Sequence, residues 1–334
     1  MKIAIRADGG SKIGMGHIMR TLVLAKELAK ANDVFYICRV DEPLSDIYSP
    51  GIIKIKKQGF HVVTIDESNI LEELSNVQAD ILITDSYDVD ENYFNETKKL
   101  FKYTGYIDDM NLYYFNVDFL INQNINAEDL NYRVNNNTKL FLGPKYAMLR
   151  EEFRNVPKKI IKKKVEDILI TVGGADPNNV IGKILSYVKQ LDYKFHVIVG
   201  PTFNTVNELK QYEKENKNIK LYFNANMFQL MQKCDLAISA CGSTLYELSS
   251  CGVPTLGVII ADNQIKIGNK FHHMGMISNL GWHEKLNKYI LVSKLDEICN
   301  NRNYREEISK LTQKLISNNY SLNCEFFMSK YKHK

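Results

Sequence analysis

The chain has 334 residues, 45% apolar and 25% charged, a balance that excludes disordered and fibrous classes. That length suits two domains of ~150 residues each rather than one compact core. Lys and Arg number 43 against 39 Asp and Glu, and a +4 excess on so long a chain gives no nucleic-acid surface.

From the N-terminus, Lys2-Ile-Ala-Ile-Arg6 predicts a strand and Gly16–Ala31 a helix with Met19, Leu22, Val23, Leu28 and Ala29 on or near one face. Val34–Cys38, His61–Ile65, Ile81–Thr84 and Thr104–Ile107 predict further strands. Apolar strands separated by helices imply a parallel sheet covered on both faces, with the β→α loops along one edge. Gly143–Lys164 interrupts this rhythm with Pro144, Pro157 and the run Lys158-Lys159-Ile-Ile-Lys162-Lys163-Lys164, and is read as a connection with a solvated basic face. The alternation restarts with strands at Asp167–Val172, Phe195–Val199, Ile219–Tyr222, Leu236–Ser239 and Pro254–Val258, and a helix near Asn178–Lys189. Arg302–Tyr331 reads as a charged helix. The expected organisation is a first Rossmann-like domain over residues 1–155, a second over 156–310, and a C-terminal helix over 311–334 packing back on the first.

The six cysteines, Cys38, Cys234, Cys241, Cys251, Cys299 and Cys324, contain no Cys-x-x-Cys pair and no metal-ligand spacing. The chain opens into a strand rather than a leader, and no apolar run approaches the ~20 residues of a bilayer span. Reduced thiols in a cytoplasmic protein, with neither membrane nor nucleic acid as partner, are the expectation.

Strand one runs into Asp8-Gly9-Gly10-Ser11-Lys12-Ile13-Gly14-Met15-Gly16-His17 and on to Arg20. Gly14 and Gly16 permit a tight turn and close approach to a ligand just before a helix, whose free N–H groups favour an anion. The spacing fits neither the dinucleotide fingerprint nor the P-loop. His17 is either a satisfied structural histidine or, given its place at a helix start on the ligand-binding edge, a neutral general base. Asp8, Arg6 and Arg20 either orient it and contact substrate or form a loop ion-pair network.

In the second half, Ala240-Cys241-Gly242-Ser243-Thr244-Leu-Tyr-Glu247 follows a strand. Glu247 either closes a capping box or reaches out to accept both hydroxyls of a ribose whose diphosphate lies on the helix start. Thr171-Val-Gly173-Gly174-Ala-Asp176 and Asp262-Asn263-Gln264 share the same type of strand-to-helix junction.

The run Gly242-Ser-Thr-x-x-Glu247, then Gly252-x-Pro254 and Asp262-Asn263-Gln264, resembles the nucleotide half of GT-B glycosyltransferases. With Arg6-Ala-Asp8…Ile13-Gly14-x-Gly16-His17-x-x-Arg20, Asp85-Ser-Tyr87, Ile107-Asp108-Asp109 and Gly173-Gly174-x-Asp176, the chain resembles the UDP-sugar hydrolases of pseudaminic acid biosynthesis from residue 6 to 264. The resemblance implies a GT-B fold of two Rossmann-like doubly wound domains facing across a cleft. It also implies release of UDP from a 2,4-diacetamido-2,4,6-trideoxyhexose by water, with inversion. It assigns catalysis to His17, Asp8, Tyr87 and Asn263. Gly173, Gly174, Gly242, Ser243, Thr244 and Glu247 would hold UDP, and Gly14, Gly16, Arg20, Asp85, Asp262 and Gln264 the sugar. No cofactor and no metal are expected: adjacent Asp108 and Asp109 would point to opposite sides, so only one would face a ligand. Expected partners are the UDP-sugar and water, on a monomer or weak dimer. A UDP-hexosamine-dependent transferase, a related hydrolysing epimerase and a silent nucleotide-sugar-binding protein are the rival readings.

Overall fold

The computed structural model describes residues 1–317, which divide into two compact units, Met1–Met148 and Leu149 onward. The first unit contains β1 (Lys2–Ala7), α1 (Gly16–Leu28), β2 (Asp33–Val40), α2 (Ser49–Lys57), β3 (Val62–Asp66), α3 (Ile70–Ser75), β4 (Ile81–Asp85), α4 (Glu91–Leu100) and β5 (Tyr103–Ile107). It continues with β6 (Tyr114–Phe115), β7 (Phe119–Asn122), β8 (Arg133–Val134) and β9 (Lys139–Leu142). Seven strands form one parallel sheet in the order β3-β2-β1-β4-β5-β7-β9, and β6 pairs with β8 apart from it. Its strands are apolar on both faces because both are covered. Ile3, Ile5 and Ala7 pack with α1 and α2, whereas Ala4, Leu82 and Tyr106 pack with α3 and α4.

The order reverses at β1, with β2 on one side and β4 on the other. Loops leaving adjacent strands in opposite directions open a crevice at such a switch point. The loop after β1 carries Gly14 and leads into Gly16 and His17 at the start of α1, and the loop after β4 carries Tyr87.

The second unit contains β10 (Asp167–Thr171), α5 (Val180–Val188), β11 (Lys194–Ile198), α6 (Val206–Glu215), β12 (Ile219–Tyr222), α7 (Met227–Lys233), β13 (Leu236–Ala240) and α8 (Thr244–Ser250). It ends with β14 (Thr255–Ile259), α9 (Asn263–His273), β15 (Ser278–Trp282), α10 (Lys288–Asn300) and α11 (Arg302–Ser317). Its parallel order β12-β11-β10-β13-β14-β15 repeats the reversal, now between β10 and β13. The loops that diverge there carry Gly173-Gly174 and Gly242-Ser243.

Residues 149–164 belong to this second unit rather than to a free connector. Lys159 Nζ donates to the carbonyls of Met231 (2.8 Å) and Gln232 (2.9 Å) at the end of α7, and Lys162 pairs with Asp235 at 3.0 Å. Those two lysines tie the segment down by satisfying carbonyls and a carboxylate, while Lys158, Lys163 and Lys164 are solvated. α11 runs as one helix through the expected 310/311 boundary. It packs on the second unit: Gln313 Nε2 donates to Ser250 O, and Arg305 Nη2 to Lys162 and Lys163 carbonyls. Expectations for residues beyond 317 lie outside the described residues. Among those described, no helix is long and apolar enough to cross a membrane, and five cysteines are free and buried. Cys324 lies outside them.

Strands β7, β9 and β15 escaped the sequence reading because each is only four or five residues long and includes an Asn, Lys or Gly. β7 closes on β5 only because Gly105 stands opposite Phe119. A Cβ on Gly105 would lie 1.8 Å from the fully buried Phe119 ring. Gly105→Ala is therefore expected to destabilise the chain by about 1–3 kcal/mol through overpacking, measured as a lower denaturant midpoint at unchanged m-value.

Candidate active site

His17 enters at the second position of α1, and Asp85 is the last residue of β4, in register with Ala7 of β1. This pairing brings residues 68 apart in sequence to hydrogen-bond distance: His17 Nδ1 lies 2.6 Å from Asp85 Oδ1. Asp85 is fully buried. Burial alone would push its carboxyl up, but the Arg20 guanidinium and the His17 ring outweigh that and hold it well below the usual carboxylate range. An ionised carboxylate only accepts hydrogen bonds, so Nδ1 must carry the proton. In the neutral ring Nε2 then keeps its lone pair, and it makes no hydrogen bond among the described residues.

Arg20, one turn along α1, organises the cluster. Nε donates to Asp85 Oδ2 and Nη2 to Asp85 Oδ1, both at 2.6 Å, while Nη1 reaches both oxygens of Asp109 at 2.8 Å. Asp109 also accepts from the Tyr87 hydroxyl at 2.7 Å and from Asn124 Nδ2 at 2.8 Å. The Tyr87 ring stands edge-on to His17 with centroids 4.6 Å apart. Burial opposes ionisation of Asp109, yet Arg20 holds it below the ordinary range. Two ionised carboxylates thus surround a single guanidinium. One negative charge is left over beside the imidazole ring.

Several expectations change. Asp85 and Arg20, expected to hold sugar, are engaged in orienting His17 and charging its surroundings. Asp8, expected as a catalytic residue, does not orient His17: it accepts from the backbone N–H (2.8 Å) and Nε (2.7 Å) of Arg39, fastening the end of β1 to β2. The capping-box reading of Glu247 fails, since Ser243 caps α8 without a side-chain hydrogen bond. Glu247 instead meets Arg150 through both oxygens, at 2.8 and 2.9 Å.

Around the second switch point, Gly173 has φ +97°, a left-handed backbone that favours glycine. Gly174 O accepts from Thr202 N and Oγ1 at 3.2 and 2.8 Å, and Asp176 accepts from Val180 N and Ile181 N at 2.8 and 2.9 Å, fastening the start of α5. Gly242 and Gln264 are neighbours, because a Cβ on Gly242 would sit 3.5 Å from Gln264 Nε2. Gln264 Oε1 accepts from Ile260 N at 3.1 Å, Asn263 opens α9, and Asp262 is its N-cap without a side-chain bond. Gly14 closes a bridge to Gly10, and Gly16 opens α1.

The sequence reading passed over Asn124 and Arg150, whose only signal is the partner each meets in space. Asp108 and Asp109 part company as adjacent residues must. Asp108 accepts from Tyr132 Oη at 2.7 Å and Asn111 N at 2.9 Å, away from Arg20's partners. Among the described residues, no group of three or more His, Cys, Asp or Glu is arranged to hold a metal ion.

Two doubly wound parallel sheets, each with its loop cluster at a switch point, define the GT-B architecture. Residues 167–320 match the model of the glycosyltransferase family 28 C-terminal domain. The fold is similar to that of MurG of Acinetobacter baumannii, with a TM-score of 0.69 at 13% identity, covering 98% of this chain and 99% of that one. An uncharacterized protein of Methanocaldococcus jannaschii is 34% identical over 287 residues, 80% of this chain but 57% of that protein, so the chain spans little more than half of it. The UDP-2,4-diacetamido-2,4,6-trideoxy-beta-L-altropyranose hydrolase of Campylobacter jejuni is 26% identical over 251 residues, 74% of this chain and 87% of that one.

Burial pushes the Asp108 carboxyl up to about 6; the Tyr132 hydroxyl opposes that shift and the Asp109 charge reinforces it. A carboxyl raised in the folded state binds its proton more tightly there, so its contribution to stability declines as pH climbs from about 4 to about 6. Asn at this position keeps an acceptor for Tyr132 and Asn111 and carries no charge. Asp108→Asn is expected to stabilise the chain above pH 6 by on the order of 1–3 kcal/mol and to leave it little changed near pH 4, read from denaturant midpoints across pH.

Proposed function

We propose that the chain hydrolyses a UDP-linked 2,4-diacetamido-2,4,6-trideoxyhexose to the free sugar and UDP. The observation that carries this reading is the His17–Asp85 pair, whose ionised carboxylate fixes the imidazole with Nε2 as the proton acceptor. Similarity to the Campylobacter jejuni hydrolase, over 251 residues, supports the substrate class.

In this mechanism His17 Nε2 takes a proton from water as the water oxygen bonds to the anomeric carbon. The bond from that carbon to the diphosphate oxygen breaks, and UDP departs with its electron pair, inverting the centre. Asp85 stabilises the imidazolium that forms, as an oriented carboxylate does beside a catalytic histidine. In the first unit Tyr87 and the backbone around Gly14 and Gly16 are the sugar ligands of this reading, and in the second Asn263, Asp262 and Gln264 are. The amides and hydroxyls of Gly242, Ser243 and Thr244, with Gly173 and Gly174, bind the diphosphate and stabilise its developing charge. Glu247 accepts the ribose hydroxyls.

Incubation with a panel of UDP-hexosamines in H₂¹⁸O tests the reaction. The expected result is UDP release without acceptor and label in the sugar. Turnover only when a sugar or lipid acceptor is added would assign a transferase instead. His17→Gln is expected to bind UDP normally in calorimetry and to lose about 10²–10⁴-fold in kcat; near-native turnover would remove His17 from the mechanism.

A further inference from the structure

Arg150, between β9 and β10, has its guanidinium held on three sides. Nε and Nη2 donate to the two carboxylate oxygens of Glu247 at 2.8 and 2.9 Å. Nη1 meets Glu152 at 3.2 Å, and the guanidinium carbon lies 4.8 Å from the centroid of the Phe153 ring. Phe153 is fully buried, and its carbonyl accepts from Ser250 Oγ in the last turn of α8. The segment and the helix that bear the two partners are therefore joined a turn away from Glu247, within the same unit.

A guanidinium fork that meets a carboxylate through both oxygens uses one lone pair of each and leaves another. The pair is not sealed: 16% of the Glu247 side chain and 28% of Arg150's remain accessible. We propose that Arg150 is the positioning residue for Glu247, fixing the plane of its carboxylate so that the remaining lone pair on each oxygen accepts one of the two vicinal ribose hydroxyls. This rests on the reading of Glu247 as ribose ligand and goes further, naming what aims it. Burial pushes the Glu247 carboxyl up, and the Arg150 hydrogen bonds oppose that shift. Lysine would supply the charge but not the fork, since an ammonium is a point donor.

Titration calorimetry of the full chain with UDP and with 2′-deoxy-UDP tests the proposal. The native chain is expected to bind UDP about tenfold or more tightly than the deoxy analogue, the loss of a hydrogen bond to a charged acceptor. Arg150→Lys, checked for a native melting transition, is expected to reduce that ratio to about threefold or less. A native ratio retained in Arg150→Lys overturns the inference while leaving the proposed function standing. A structure of the native chain with UDP tests the same point without a variant. Both Arg150–Glu247 contacts kept, with the ribose on Glu247, supports it; Glu247 turned away from Arg150 to reach the ribose overturns it. A native chain that binds neither nucleotide, or both equally, removes Glu247 as ribose ligand, and the positioning role falls with it.

Discussion

The contact on which the first switch point depends is the buried guanidinium of Arg20 between Asp85 and Asp109. Removing charges from water costs several kcal/mol per ion unless partners restore it. Here Arg20 spends every nitrogen on a carboxylate: Nε and Nη2 on Asp85, Nη1 on Asp109. Without it, two carboxyls in one buried pocket would be driven toward their neutral forms, and Asp85 could no longer dictate which nitrogen of His17 bears the proton. The histidine's chemistry is thus set by an arginine one turn further along the same helix.

The position of that cluster follows from topology. A parallel sheet whose strand order reverses sends the loops after β1 and β4 apart, so a crevice opens at their ends. The second unit repeats the solution with β10 and β13 and lines it with different residues: glycines, hydroxyls and a carboxylate set by an arginine. In both units a charged side chain near the strand ends is aimed by a guanidinium from another segment. The side chains differ: His17 keeps an unshared lone pair on Nε2, whereas Glu247 meets Arg150 through both of its oxygens.

Much of the framework was legible in sequence. Apolar runs such as Ile81–Thr84 and Leu236–Ser239 are too short and too apolar for surface helices, and their alternation with amphipathic stretches forces a parallel sheet. The glycine loops marked the strand-to-helix junctions at the two switch points. β7, β9 and β15 were not legible: β9 and β15 are short edge strands, and β7, an interior strand of four residues, gains its place from a neighbour, Gly105 of β5. The roles inside the site were only half visible: Asp8 and Asp85 are both aspartates at strand ends, and nothing local says that one serves Arg39 and the other His17.

The sequence by itself determined the two doubly wound sheets, the loops that bear the candidate chemistry and the presence of a histidine at a helix start, because these follow from periodicity, turn residues and apolar patterning within short windows. Only the tertiary structure decided which carboxylate faces that histidine, that Arg20 bridges two of them, that Glu247 answers to Arg150, and that Lys159 and Lys162 fasten what reads as a linker. Those pairings join residues up to 97 apart, as in Arg150–Glu247. Parallel crossovers choose them, and their strength comes from burial that no local stretch of chain can report.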